Sequence, residues 1–203
     1  PWASVTGVGA VTSIRSRMAR LFADDEVLAI SRRYFVSNGF DGTLTSIGIV
    51  VGAVLTGVSD GSTVIAIGVG AAVGLGTSAL WSVWEIERAE TLVERTRLER
   101  AMLTSLEGTH VHRTQRRARV VHALSSGLGP VIGTLVPVTP FVFTESVVTM
   151  RGAAIVGVCA GIGVLGLFGA YMGAISGQRW YIAAARMGLA GLVVALINIA
   201  LPG

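Results

Sequence analysis

Apolar residues in this chain fall into five long runs separated by three short polar links and one of 38 residues. The runs cover residues 37–58, 63–84, 123–144, 152–176 and 182–201. Each is about as long as the ~20 apolar residues that a helix needs to cross a hydrocarbon core. In lipid a run of this kind satisfies its backbone only as a helix, because an isolated strand leaves donors and acceptors unpaired. The pattern therefore predicts an all-α membrane protein with five transmembrane helices. The opening stretch, PWASVTGVGAVTSI, is apolar but too short to span, and no basic segment precedes it, so it does not read as a signal peptide. From Arg15 to Arg33 the spacing of Ile14, Met18, Leu21 and Phe22 predicts a short amphipathic helix lying on the membrane surface. Four segments follow: residues 1–36 as an N-terminal amphipathic segment, 37–84 as helices one and two, 85–122 as a helical insert, and 123–203 as helices three to five.

Composition agrees with the pattern. Apolar residues make up 52% and charged residues 14%, against about 25% charged in soluble domains. Charge adds orientation. All sixteen basic residues are Arg. Five precede the first run, eight lie between the second and third, and Arg179 and Arg186 flank the link from the fourth to the fifth. Arg151 alone falls on the opposite side, so the positive-inside rule predicts a cytoplasmic N-terminus and a cytoplasmic insert between helices two and three. Trp81, Trp84, Trp180 and Tyr181 fall at the same predicted boundary, as an aromatic belt requires. The net charge of +4 then reflects topology and contact with membrane lipids. It does not point to nucleic acid, because no base-stacking or base-reading motif accompanies the arginines.

Glycine and proline shape the predicted bundle. Gly48 and Gly52, Gly70 and Gly74, Gly129 and Gly133, Gly157 and Gly161, and Gly169 and Gly173 recur at small-xxx-small spacing, which lets helix backbones approach closely in lipid. Such faces predict tight packing and, through Gly48 and Gly52, a homodimer. Pro137 and Pro140 each remove a backbone donor and predict a kink or break late in the third helix.

The candidate chemistry starts at Asp41, which sits inside the first run. A carboxylate at membrane depth costs roughly 2.5–3.5 kcal/mol and usually marks an ion or proton path. Asn38, Thr43, Thr45 and Ser46 offer further oxygens nearby, with Asn38 and Thr45 the pathway candidates beside Asp41. The alternative reading is that Asp41 only satisfies backbone groups at a Gly-flanked break. In the insert, Glu87, Glu90 and Glu94 recur at helical spacing on one face, with Glu85 just before them. Like charges at i, i+4 destabilise a helix mildly, and a divalent cation held by hard oxygens would relieve that. Charge pairing of Glu85 with Arg88, Glu94 with Arg97 and Arg95 with Glu99 is the competing account. His110 and His112 have no companions at ligand spacing, and His122, which opens the third run, reads as easily as an interfacial residue as a ligand. The single cysteine, Cys159, lies within the fourth run and packs as a small apolar residue. No P-loop, nucleophile elbow or HExxH occurs, so the chain does not read as an enzyme, and no tightly bound cofactor is expected.

Several stretches together resemble the vacuolar iron transporter family, also called the Ccc1-like family. They are RYFVSNGFDGTLTSIGIVVGAV in the first run, SALWSVWEIERAE at the end of the second, GLGPVIGTLVPVTPF in the third, and the tail FGAYMGAISGQRWYIAAARMGLAGLVVALINIALPG. The likeness covers residues 32–203. It implies a five-helix homodimer that exports ferrous iron, and manganese as a second cargo, from the cytoplasm in exchange for protons. By the same resemblance Asp41 matches the family's aspartate in the membrane path. Glu85 matches the first glutamate of a cytoplasmic metal-binding extension, and Glu90 and Glu94 align with others. The insert is shorter than in eukaryotic members, and residues 63–84 lack the methionine that those members place in helix two. The short form is similar to prokaryotic relatives, which implies the plasma membrane. The competing function class is a non-transporting membrane anchor or scaffold subunit on the same five helices.

Overall fold

A computed structural model describes residues 25–102, 110–144 and 148–200, with side chains from residue 27 onward and, in the second segment, from residue 116. Apart from short turns the described residues are helical, and five of the helices are long and apolar enough to cross a membrane. These are α1 (Asp25–Leu55), α2 (Gly61–Met102), α3 (His110–Val138), α4 (Met150–Ile175) and α5 (Trp180–Ala200), with a short 3-10 helix, Thr139–Phe143, after α3.

Two boundaries differ from the expectation. Residues 25–55 form one unbroken helix of 31 residues, so the described part of the expected amphipathic segment is the first part of α1, not a separate element. Residues 1–24 of that segment lie outside the described residues. The helical insert is likewise continuous with the membrane helices. α2 runs for 42 residues, about 63 Å at 1.5 Å per residue, roughly twice the ~30 Å of a hydrocarbon core. Its apolar half ends near Trp84, and its second half, rich in Glu and Arg, carries on as an extension. α3 starts as a basic helix at His110 before becoming apolar, so both helices mark one pole of the bundle, the extension end.

Caps and turns end the helices where the sequence allows. Asp60 precedes α2, and its carboxylate accepts from the Ser62 N–H at 2.9 Å and from the Ser62 and Thr63 hydroxyls. Those bonds to the ionised form hold the Asp60 carboxyl below its ordinary pKa. Gly57 closes α1 with φ +74, and the Val58 N–H returns to the Ala53 carbonyl at 3.0 Å. A left-handed residue is needed there, and glycine adopts it without steric cost. In the third span the α-helical path ends one residue after Pro137, and Pro140 falls within the 3-10 turn that follows.

α1 is the centre of the bundle. It packs most extensively on α3 and also meets α2, α4 and α5, while α2 pairs with α3 and α4 with α5. Two cores result. Val50, Ala53, Val64, Phe141, Ala153 and Ala154 fill the end away from the extension, and Ile47, Val51, Leu165 and Ala195 fill the middle. The α1–α3 seam is nearly backbone on backbone. A Cβ on Gly42 would stand 2.6 Å from Pro130, and one on Gly133 would press on the Gly39 carbonyl and lie 2.6 Å from Thr43 Oγ1. Hydrogen bonds cross the same seam, with Ser46 Oγ donating to the Thr134 carbonyl at 2.8 Å and Thr134 Oγ1 to the Gly42 carbonyl at 3.2 Å. In lipid such bonds contribute on the order of 0.6 kcal/mol each, so close packing contributes more to holding the seam.

Candidate functional site

Tyr34, Asn38, Asp41, Thr45, Gly48 and Gly52 are spaced by three or four residues and form one stripe along α1. At the extension end the stripe is covered. The Asn38 amide donates to the Tyr34 carbonyl at 2.9 Å and to Ser126 Oγ at 3.0 Å. Ser126, fully buried, donates in turn to the Ala79 carbonyl at 3.0 Å. One polar chain thus ties α1 to α3 and α3 to α2. The Tyr34 hydroxyl donates to Glu87 Oε1 at 3.3 Å.

At Asp41 and Thr45 the stripe is uncovered, and at Gly48 and Gly52 it is half-buried. Asp41 and Thr45 are exposed on the surface of the single chain. Thr45 Oγ1 donates to the Asp41 carbonyl at 2.8 Å, so its hydroxyl is occupied by its own helix. The Asp41 carboxylate makes no hydrogen bond or ion pair with any described residue. Beyond it, Gly48 faces the Asn198 amide of α5, with 3.7 Å between a built Cβ and that side chain, and a Cβ on Gly52 would meet nothing within 4 Å. The oxygens expected around Asp41 are therefore split by helix face. Thr45 shares its face, Asn38 lies one turn earlier and is bonded to Ser126 of α3, and Thr43 and Ser46 are buried on the α3 side with their hydroxyls bonded to backbone carbonyls.

The expected glutamate face is split in the same way. Glu85 is exposed and pairs with Arg88 at 3.6 Å, and Arg95 pairs with Glu99 at 2.9 Å. Glu90 and Glu94 are exposed on the extension. Glu87 turns inward, with Oε1 3.0 Å from His122 Nδ1. His122, whose place the sequence left open, is buried and stands 6.0 Å from the Tyr34 ring centroid. The reason for the difference is tertiary. α3 lies against α2 and α1 at this level, and the contact joins residues 87 and 122, which no helical period relates. Among the described residues, no three His, Cys, Asp or Glu side chains converge on one point. Of the small-residue pairs, Gly129 and Gly133, Gly157 and Gly161, and Gly169 and Gly173 face other helices closely, whereas Gly70 and Gly74 meet nothing within 4 Å. Cys159 is a free thiol on the rim of an apolar groove of about 470 Å³, whose lining includes Val51, Ile155, Ala195 and, at one end, Arg151.

Five membrane-length helices, the central one carrying an exposed carboxylate at Asp41, define a polytopic helical membrane protein. The VIT family model matches residues 82–201, from the end of the apolar part of α2 through α5. The chain belongs to the VIT family, the one its sequence resembles. It is also 29% identical over 168 residues, 81% of this chain and 85% of the relative, to an uncharacterized protein of Methanocaldococcus jannaschii. The family match begins after Asp41, so the role of that residue rests on the geometry of α1 and on the resemblance of its own motif.

Proposed function

We propose that the protein is a proton-coupled exporter of divalent metal ions, with iron and manganese as cargo, working as a homodimer in a prokaryotic plasma membrane. Membership of the VIT family supports metal-ion transport, and one observation carries the mechanism: Asp41 stands bare on the outer face of α1. A carboxylate facing lipid costs roughly 2.5–3.5 kcal/mol. A second copy laid against the open stripe of Asp41, Thr45, Gly48 and Gly52 removes it from lipid and brings two carboxylates to one path. Hard oxygen ligands of that kind suit divalent cations. Glu85, Glu90 and Glu94 on the extension supply carboxylate oxygens along the approach to the path, on the side where most arginines place the cytoplasm.

Uptake into proteoliposomes tests this reading, comparing Fe²⁺, Mn²⁺ and Zn²⁺ with and without a pH gradient. Uptake of Fe²⁺ or Mn²⁺ that rises with the gradient is the expected result. No uptake of any of the three leaves the five-helix scaffold as the better account. Orientation is tested separately with a Ser59→Cys chain in a Cys159→Ser background. Ser59 lies in the exposed link between α1 and α2, so an impermeant maleimide added outside cells should label it. Labelling only from the cytoplasmic side reverses the topology.

A further inference from the structure

Glu87, His122 and Tyr34 meet where α1, α2 and α3 converge at the extension end, and packing alone does not account for their arrangement. His122 exposes 4% of its side chain, and neither ring nitrogen has an aligned hydrogen-bond partner among the described residues. Nδ1 nonetheless lies 3.0 Å from Glu87 Oε1. The Tyr34 hydroxyl points at that same oxygen from 3.3 Å. Glu90 stands one turn beyond Glu87 on α2, within electrostatic reach of Tyr34. A buried polar atom left without a partner is costly, so a fold that buries this imidazole needs something to satisfy it.

Three arrangements could fill the gap between Nδ1 and Oε1. A shared proton needs an N–H aimed along the line to the oxygen, and that alignment is missing. An empty gap sets one lone pair against another. A first-row divalent cation fits: with metal–ligand distances of about 2.0–2.2 Å, two ligand atoms at a right angle stand about 3 Å apart. Nearby positive charge does not fill the role. Arg119, one turn before His122, lays its guanidinium over Trp84 at 5.6 Å from the ring centroid, and Arg33 lays its own over Tyr34 at 5.7 Å.

We propose that Glu87 and His122, with Tyr34 beside them, form a transit site for a first-row divalent metal ion at the head of the membrane path. Tyr34 precedes Asp41 by seven residues on the same stripe of α1, about 10 Å along the axis. An ion released here is therefore already aligned with the intramembrane carboxylate. The imidazole sets the chemical class. Nitrogen ligands favour iron, cobalt, nickel and zinc over magnesium and calcium, a discrimination that carboxylates alone supply poorly. The site's place in a path rests on the transport reading, but its occupancy is measurable without transport.

The test uses the full chain in detergent, loaded with Mn²⁺ as a spin probe for pulsed EPR and titrated with Co²⁺ by calorimetry. Echo modulation from an imidazole nitrogen is expected in the unsubstituted protein and in Asp41→Asn, and is expected to vanish in His122→Gln. Co²⁺ affinity should fall at least about tenfold in His122→Gln and in Glu87→Gln, since even groups that only support a ligand contribute 10–100-fold. If His122→Gln does not fold, His122→Cys gives the same decision: a folded Cys variant should bind Cd²⁺ more tightly than the parent, and one that does not overturns the proposal. No imidazole modulation in the parent, the same modulation in folded His122→Gln, or its loss in Asp41→Asn also overturns it and leaves a His–Glu contact only. Absent uptake in proteoliposomes, with these results intact, would sink the transport reading and leave the metal site standing.

Discussion

Asp41→Asn should reduce metal uptake to the background of empty liposomes while the protein still inserts, folds and dimerises. The substitution keeps size and hydrogen-bonding capacity and removes only the charge. Nothing in the fold of the single chain depends on that charge, since the carboxylate bonds to no described residue and lies on an exposed face. A neutral amide at membrane depth is, if anything, cheaper than a carboxylate, which costs roughly 2.5–3.5 kcal/mol. Transport does depend on the charge if the oxygens of Asp41 bind the ion and the counter-moving proton in turn. Metal ligation requires the deprotonated form, so proton and metal compete for the same atoms, and that competition alone couples their fluxes. The measurement is uptake under a pH gradient, with circular dichroism and cross-linking as folding controls. Full uptake by a well-folded Asp41→Asn protein would refute the mechanism.

The second large effect separates two kinds of glycine. Gly133→Leu should destroy the bundle, whereas Gly52→Leu should leave each chain folded and separate the dimer. At position 133 a Cβ meets the Gly39 carbonyl, Thr43 Oγ1 at 2.6 Å and the Thr43 nitrogen at 3.0 Å. Two of these are backbone atoms of the central helix and cannot swing aside. Overpacking of this kind costs roughly 1–3 kcal/mol for small additions and more for a leucine. It also pries apart the Ser46–Thr134 and Thr134–Gly42 hydrogen bonds. At position 52 a Cβ meets nothing within 4 Å, so the single chain has no reason to change. Thermal unfolding followed by size-exclusion chromatography reads the first substitution, and cross-linking in membranes reads the second. An unchanged dimer in Gly52→Leu would exclude this face of α1 as the interface, and a normally stable Gly133→Leu would contradict the packing of α1 on α3.

The linear chain by itself determined the five spans and the presence of a carboxylate within the first. Hydropathy belongs to consecutive residues, and in lipid each helix satisfies its backbone internally, so neither needs a neighbour to be recognised. Small-residue spacing announced close packing without saying where. Gly129 and Gly133 became an interior seam while Gly52, Gly70 and Gly74 were left open, and only the placement of α3 distinguishes them. The same holds for the oxygens near Asp41. Helical spacing offers Asn38, Thr43, Thr45 and Ser46 alike, but the neighbours of α1 bury two, tie one to Ser126 and leave Thr45 outside with Asp41. Glu87 shared a face with Glu90 in the helical projection and yet turned to His122, 35 positions away in sequence. The hydrogen bonds that make a helix are local, so they are written in the sequence. Which face of a helix is covered depends on the shape fit of several helices at once, and only the tertiary structure decides that.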